Sequence, residues 1–131
     1  VEYKDLVIFY AGDSLYEEFA YKELGKKFDI DLALLPVGPC RDCEEDNSYT
    51  HMTSMGAFKV FDDLKADKMV PVHYGALEYS SDPDYPADVL RELIAKRDGE
   101  NNSGQSGETY KDRIKIIDEG ELFIFENVEK K

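Results

Sequence analysis

Residues 6–14 read LVIFYAGDS, an apolar run that stops abruptly at Gly12-Asp13. Such a run is the pattern of a buried strand, and it delivers one carboxylate, Asp13, at its C-terminal tip. Open α/β sheets place their chemistry at strand ends of this kind. Residues 69–74, MVPVHY, repeat the arrangement and deliver His73. One Asp and one His, each at the end of a buried strand, form a candidate pair of metal ligands, and only part of a site.

The chain around these two stretches alternates in period. Residues 16–27 predict a helix with Tyr16, Phe19, Ala20 and Leu24 on one face, a start capped by Asp13 or Ser14, and an end suited by Gly25, Lys26 and Lys27. Residues 31–36, DLALLP, predict a strand buried on both faces. Residues 53–66 predict a helix capped by Thr53 or Ser54, with Met55, Phe58, Val60, Phe61 and Leu64 as its apolar stripe. Residues 87–96 predict a third helix with Leu90, Leu93 and Ile94 inward. Long loops fall at residues 37–50 and 75–86, and residues 98–109 are turn-rich and read as flexible. Residues 114–117 and 122–125 predict a terminal hairpin around Glu119-Gly120. The order strand, helix, strand, helix, strand, helix, hairpin is an α/β layer pattern in one domain over residues 1–131.

Bulk properties narrow the function classes. A chain of 131 residues supports one domain with a modest core, and 42% hydrophobic content is ordinary for a globular protein. With 29 acidic against 16 basic residues the net charge is -13, which disfavours binding to nucleic acid or an anionic membrane. No run reaches the roughly 18 apolar residues of a membrane span. No basic segment followed by an apolar one marks a signal peptide, and a cytoplasmic location is expected. The sequence opens on Val1 a few residues before a buried strand, as expected of a piece of something longer.

Each chemistry-bearing residue has a plain structural reading beside the functional one. Asp13 suits a helix N-cap as well as a metal ligand. His73 suits a buried histidine bonded to backbone as well as a ligand; imidazole is the commonest ligand for zinc-type metals. His51, after the long acidic loop, suits an exposed loop histidine, or a general acid or anion-binding group at a helix start. Cys40-x-x-Cys43 stands alone, without the four ligands of a structural zinc site, and is read as incidental loop thiols, with metal or redox roles as the alternative. The acidic residues Glu44, Glu45 and Asp46 read as a solvated loop face.

Three motifs occur in fixed order: FYAGDS, then HMTS before a helix, then VPVHYGAL, with DIDLALLPVGP between the first two. Over residues 6–77 this order resembles the C-terminal half of metallo-β-lactamase-fold hydrolases, closest to the branch containing ascorbate-6-phosphate lactonase and N-acylphosphatidylethanolamine phospholipase D. The resemblance implies half of an αββα sandwich with a metal site at the edge of its sheets. It implies that Asp13 bridges two divalent metals, zinc in the first place and manganese or iron as alternatives. It further implies that His73 is the last metal-binding histidine and that His51 lies near the substrate. A hydroxide between the metals would be the nucleophile. The family's main signature, His-x-His-x-Asp-His, is absent from a sequence whose only histidines are His51 and His73. The resemblance therefore predicts a fragment that needs the missing N-terminal half, or a second chain, for a complete site. Its substrate would be a small molecule, a phosphorylated sugar lactone or a phosphodiester. A non-catalytic module that pairs its exposed sheet with a partner or with itself, as a homo-oligomer, is the alternative; a CxxC redox protein is a third.

Overall fold

The computed structural model describes residues 1–48, 50–76, 82–100 and 107–125. Its central sheet has the order β1-β2-β3-β6, with β1 (Glu2–Tyr3) antiparallel to β2 (Leu6–Tyr10), and β2, β3 (Leu32–Pro36) and β6 (Lys68–Val72) mutually parallel. Between β3 and β6 lie a small ribbon, β4 (Asn47–Ser48) and β5 (His51–Met52), and the helix α2 (Ser54–Leu64). Helix α1 (Glu18–Lys27) connects β2 to β3; α3 (Tyr85–Glu100) and the single turn α4 (Tyr110–Arg113) follow β6. This is the expected α/β architecture, a helix layer on a mostly parallel sheet, consistent with a partial metallo-β-lactamase fold.

Register explains which face carries the core. Phe9 pairs with Ala33 and Ala33 with Met69, and all belong to the main core cluster or pack against it. Their strand neighbours Ile8, Leu32, Leu34 and Val70 point to the other face by the two-residue alternation of strands. Helix α2 lies at the centre of the helix layer, touching α1 on one side and α3 on the other as well as β3. Its stripe of Ala57, Phe58, Val60, Phe61 and Leu64 is buried to 2% exposure or less. At β3, Ala33 and Leu35 meet that stripe with no exposed surface, so the middle strand is the core of the sheet.

Several local expectations are corrected. Helix α1 is capped by the side chain of Glu17, which accepts from the backbone N–H groups of Phe19 and Ala20, so neither Asp13 nor Ser14 caps it. Phe19, expected inward, is 71% exposed, because the helix turns Tyr21 and Leu24 to the core instead. His51 lies in β5 and not at the start of α2, whose cap is Thr53. The terminal hairpin does not form: Ile114 makes a single parallel bridge to Met69, residues 115–125 carry no strand, and Leu122 and Ile124 are 80% and 69% exposed. Helix α3 continues to Glu100, into the segment read as flexible; residues 101–106 of that segment lie outside the described residues. Cys40 and Cys43 are not loose thiols. They form a disulfide, and both are buried against Val89 of α3.

Candidate functional site

The site lies at the C-terminal ends of the parallel strands, where three connections converge. After β2 the chain turns through Gly12, at φ +59°, and presents Asp13. After β6 it presents His73 at once, with its backbone in the left-handed region at φ +65°. His51 arrives from the β4–β5 ribbon, which is docked onto the connection after β2. The Met52 N–H donates to the Ser14 carbonyl at 2.7 Å, and the Asn47 side chain pairs with both the N–H and the carbonyl of Tyr16 at 2.7 and 3.2 Å. The strand between the two tips, β3, continues into Val37, whose N–H donates to the Val72 carbonyl at 3.1 Å. That contact brings the next carbonyl, Gly38, onto His73.

One donor atom from each of Asp13, His51 and His73 lies within 4.8 Å of the others. His73 Nε2 is 3.2 Å from Asp13 Oδ1, and His51 Nε2 is 3.8 Å from Asp13 Oδ2. The two imidazole rings sit 5.1 Å apart at 39°. The Asp13 side chain is 61% exposed, whereas those of His51 and His73 are 24% and 32% exposed, so the cluster is open on the carboxylate side.

Hydrogen bonds fix how the rings are presented. His73 Nδ1 meets the Gly38 carbonyl, which only accepts, so Nδ1 carries the proton. In the neutral ring the lone pair is then on Nε2, aimed at a carboxylate oxygen. Two electron-rich atoms at 3.2 Å repel unless a proton or a cation lies between them. A histidine backed by a carbonyl, with its second nitrogen toward a carboxylate, is the usual arrangement of a ligating imidazole. His51 Nδ1 pairs with the Thr50 hydroxyl at 2.7 Å, which likewise leaves Nε2 facing the cluster. Bonds of about 2.0–2.2 Å from a zinc-type ion imply ligand–ligand edges of about 3.4 Å in a tetrahedron. The 3.2 Å edge between His73 Nε2 and Asp13 Oδ1 is close to that value, and with one donor from each of the three residues inside 4.8 Å the set fits a single ion after small side-chain adjustment.

A pocket of about 180 Å³ adjoins the cluster, lined by His73 and by Pro39, Tyr74, Gly75, Ala76, Pro83 and Pro86. Burial pushes the Tyr74 phenol above its ordinary pKa, with Asp118 and Asp84 adding to the rise and Arg91 opposing it.

All three residues singled out in the sequence therefore come together, two from strand tips and one from the ribbon. The groups behind them, Gly38 and Thr50, were not anticipated. Thr50 is adjacent to His51 in sequence and could have been suspected; the Gly38 carbonyl acts across 35 residues and leaves no local signal. The pocket prolines Pro39, Pro83 and Pro86 lie in the two long loops, where no sequence signal marks a pocket.

Comparison with known proteins gives two findings. The family described as Beta-lactamase superfamily domain matches residues 1–74, a span that holds Asp13, His51 and His73. A crystal structure from Thermotoga maritima, named provisionally as a Zn-dependent hydrolase of the metallo-beta-lactamase superfamily, is similar at 24% identity and TM-score 0.46. The match covers 70% of this chain and 42% of that one, so the chain spans less than half of the solved protein's length.

Proposed function

The chain belongs to the beta-lactamase superfamily domain family, and on that premise we propose that Asp13, His51 and His73 are its share of the metal site of a hydrolase. The observation that carries the reading is the fixed tautomer of His73, whose Nε2 faces the Asp13 carboxylate with the Gly38 carbonyl behind it. Zinc is the ion we assign first, on the two imidazoles and one carboxylate.

A bound divalent ion supplies Lewis-acid polarisation of the scissile group and an activated water. The chain's own residues do the rest. Asp13, on a short connection behind β2, holds a carboxylate in one place. His73 aims Nε2 at the ion's position, because its Nδ1 is committed to the Gly38 carbonyl. His51 has its Nε2 facing the same space, with Nδ1 held by the Thr50 hydroxyl, and supplies the second imidazole of the set. Three protein ligands serve one ion; the further ligands of a dinuclear centre would come from a polypeptide bearing the His-x-His-x-Asp-His signature. The branch resemblance favours a small lactone or phosphodiester substrate. Tyr3, Tyr10, Leu15 and Phe19 are 45–71% exposed, which favours a surface completed by more polypeptide.

Zinc titration by calorimetry tests the reading. The 131-residue chain should take up one ion, and Asp13→Ala and His73→Ala should each weaken it by at least tenfold. Hydrolysis of a lactone or of bis(p-nitrophenyl) phosphate should appear only when the signature-bearing polypeptide is added. Unchanged zinc affinity in both variants would overturn the assignment.

A further inference from the structure

We propose that the pocket beside His73 is a subsite for a compact, uncharged apolar group, of the size of a single ring or a short branched alkyl chain. This group would belong to the molecule whose reacting bond lies at Asp13, His51 and His73, so the proposal rests on the metal-hydrolase reading above.

Continuity comes first. His73 is at once a member of the ligand cluster and a wall of the pocket, so a molecule reacting at the cluster has its flanking group in the pocket. Size is the second argument. The volume is about 180 Å³, and an apolar protein cavity of about 150 Å³ holds benzene. Chemistry is the third. Apart from His73, the lining among the described residues is three prolines, a tyrosine, a glycine and an alanine, none of them charged. The Tyr74 hydroxyl donates to the Ile117 carbonyl at 3.3 Å, so the polar end of this lining residue is already committed.

Charge around the rim excludes an anionic occupant. Asp84 Oδ1 lies 3.6 Å from the point where a side chain on Gly75 would begin. Arg91, the cation that acts on Tyr74, is already paired with Asp88 at 2.8 Å. The chain as a whole carries -13. Among the described lining residues a phosphate or carboxylate would lose its hydration without gaining a lysine or arginine, whereas an apolar group loses nothing. Proline walls have no rotamers to freeze, so filling the pocket costs little order.

Nitrogen–proton correlation spectra of the chain, recorded with a chelator present, test this with benzyl alcohol and benzoate as probes. Benzyl alcohol should shift the amides of Tyr74, Gly75 and Ala76 saturably, and benzoate should bind at least tenfold more weakly. Ala76→Phe, at an exposed position on the rim, should weaken benzyl alcohol at least tenfold and leave the zinc titration unchanged. Absence of a saturable shift at these residues, equal binding of benzoate, or an unaffected Ala76→Phe chain overturns the subsite. Saturable benzyl alcohol binding with a flat zinc titration of the wild-type chain keeps the apolar pocket but overturns its assignment to a hydrolase substrate.

Discussion

Replacing Gly56 by alanine tests the packing that seats His51. Gly56 lies in α2, where alanine would ordinarily gain about 1 kcal/mol from helix propensity. Here a Cβ would lie 2.1 Å from the Asp46 carbonyl oxygen and 3.0 Å from Met52 Cβ. The segment must retreat by roughly 1 Å to reach ordinary contact. That carbonyl accepts from both the N–H and the hydroxyl of Thr53 at 3.2 Å, and Thr53 is the N-cap of α2. Retreat weakens a cap and a hydrogen bond worth about 1 kcal/mol each. Overpacking adds about 1–3 kcal/mol. After the propensity gain, the net loss is about 2–4 kcal/mol. For a chain of this length the unfolding entropy is roughly 0.28 kcal/mol per kelvin, so Tm should fall by roughly 7–14 °C. Circular dichroism melting is the assay. The control is Gly99→Ala in α3, where nothing lies within 4 Å of the added atom; it should raise Tm by about 2–4 °C. The Gly56 variant should also lose zinc affinity, because the residue pushed aside, Met52, is the neighbour of His51. A Gly56→Ala chain that melts at or above the wild-type temperature refutes the close approach and the placement of the ribbon with it.

Three further outcomes are expected. Burial raises the pKa of Asp62 above its ordinary value, against the lowering by the Tyr110 hydrogen bond and by Arg97 and Arg113. Ionised Asp62 thus subtracts from stability above its folded pKa, and the loss fades as pH falls through that value toward the unfolded one. Asp62→Asn still accepts from Tyr110, so its urea midpoint should exceed the wild type at neutral pH and converge with it in acid; a gap that widens in acid contradicts this. Arg113 donates to the Ala66 and Asp67 carbonyls at 2.7 and 3.2 Å and covers the Phe61 ring at 4.7 Å, so Arg113→Ala should cost about 2 kcal/mol, with lysine recovering only part. Reducing the Cys40–Cys43 disulfide should cost up to about 2 kcal/mol by the loop-entropy relation, read as a lower urea midpoint with dithiothreitol; no shift would place the constraint elsewhere.

What the sequence made legible follows from range of interaction. Strands β2, β3 and β6 and helix α2 were readable because each has a dense apolar period and its own breaker or cap, such as Pro36 or Thr53. Asp13 and His73 were readable because a strand end is a local event. The hairpin at 114–125 failed for the opposite reason. Its alternation was present, but Lys115 donates its N–H to the Met69 carbonyl, so Ile114 joins the parallel sheet and Leu122 and Ile124 have no partner strand among the described residues. Helix α1 began later than its sequence suggested because Glu17, a poor cap by statistics, reaches two of its own N–H groups. The Cys40–Cys43 pairing depended on the loop folding back on itself under α3, which no spacing rule specifies. The convergence of His51 on Asp13 depended on a ribbon of four residues, too short to show a period.

The left-handed backbone of His73 sets selection for stability against selection for chemistry. A non-glycine residue in that conformation carries a strain of about 1–2 kcal/mol, so random mutagenesis screened on melting temperature should favour glycine or asparagine at position 73. Each would relax the turn and delete the imidazole. A thermostabilised descendant of this chain should therefore be checked at this position first, since its most easily gained kilocalorie removes the residue shared by the Asp13–His51–His73 cluster and the pocket.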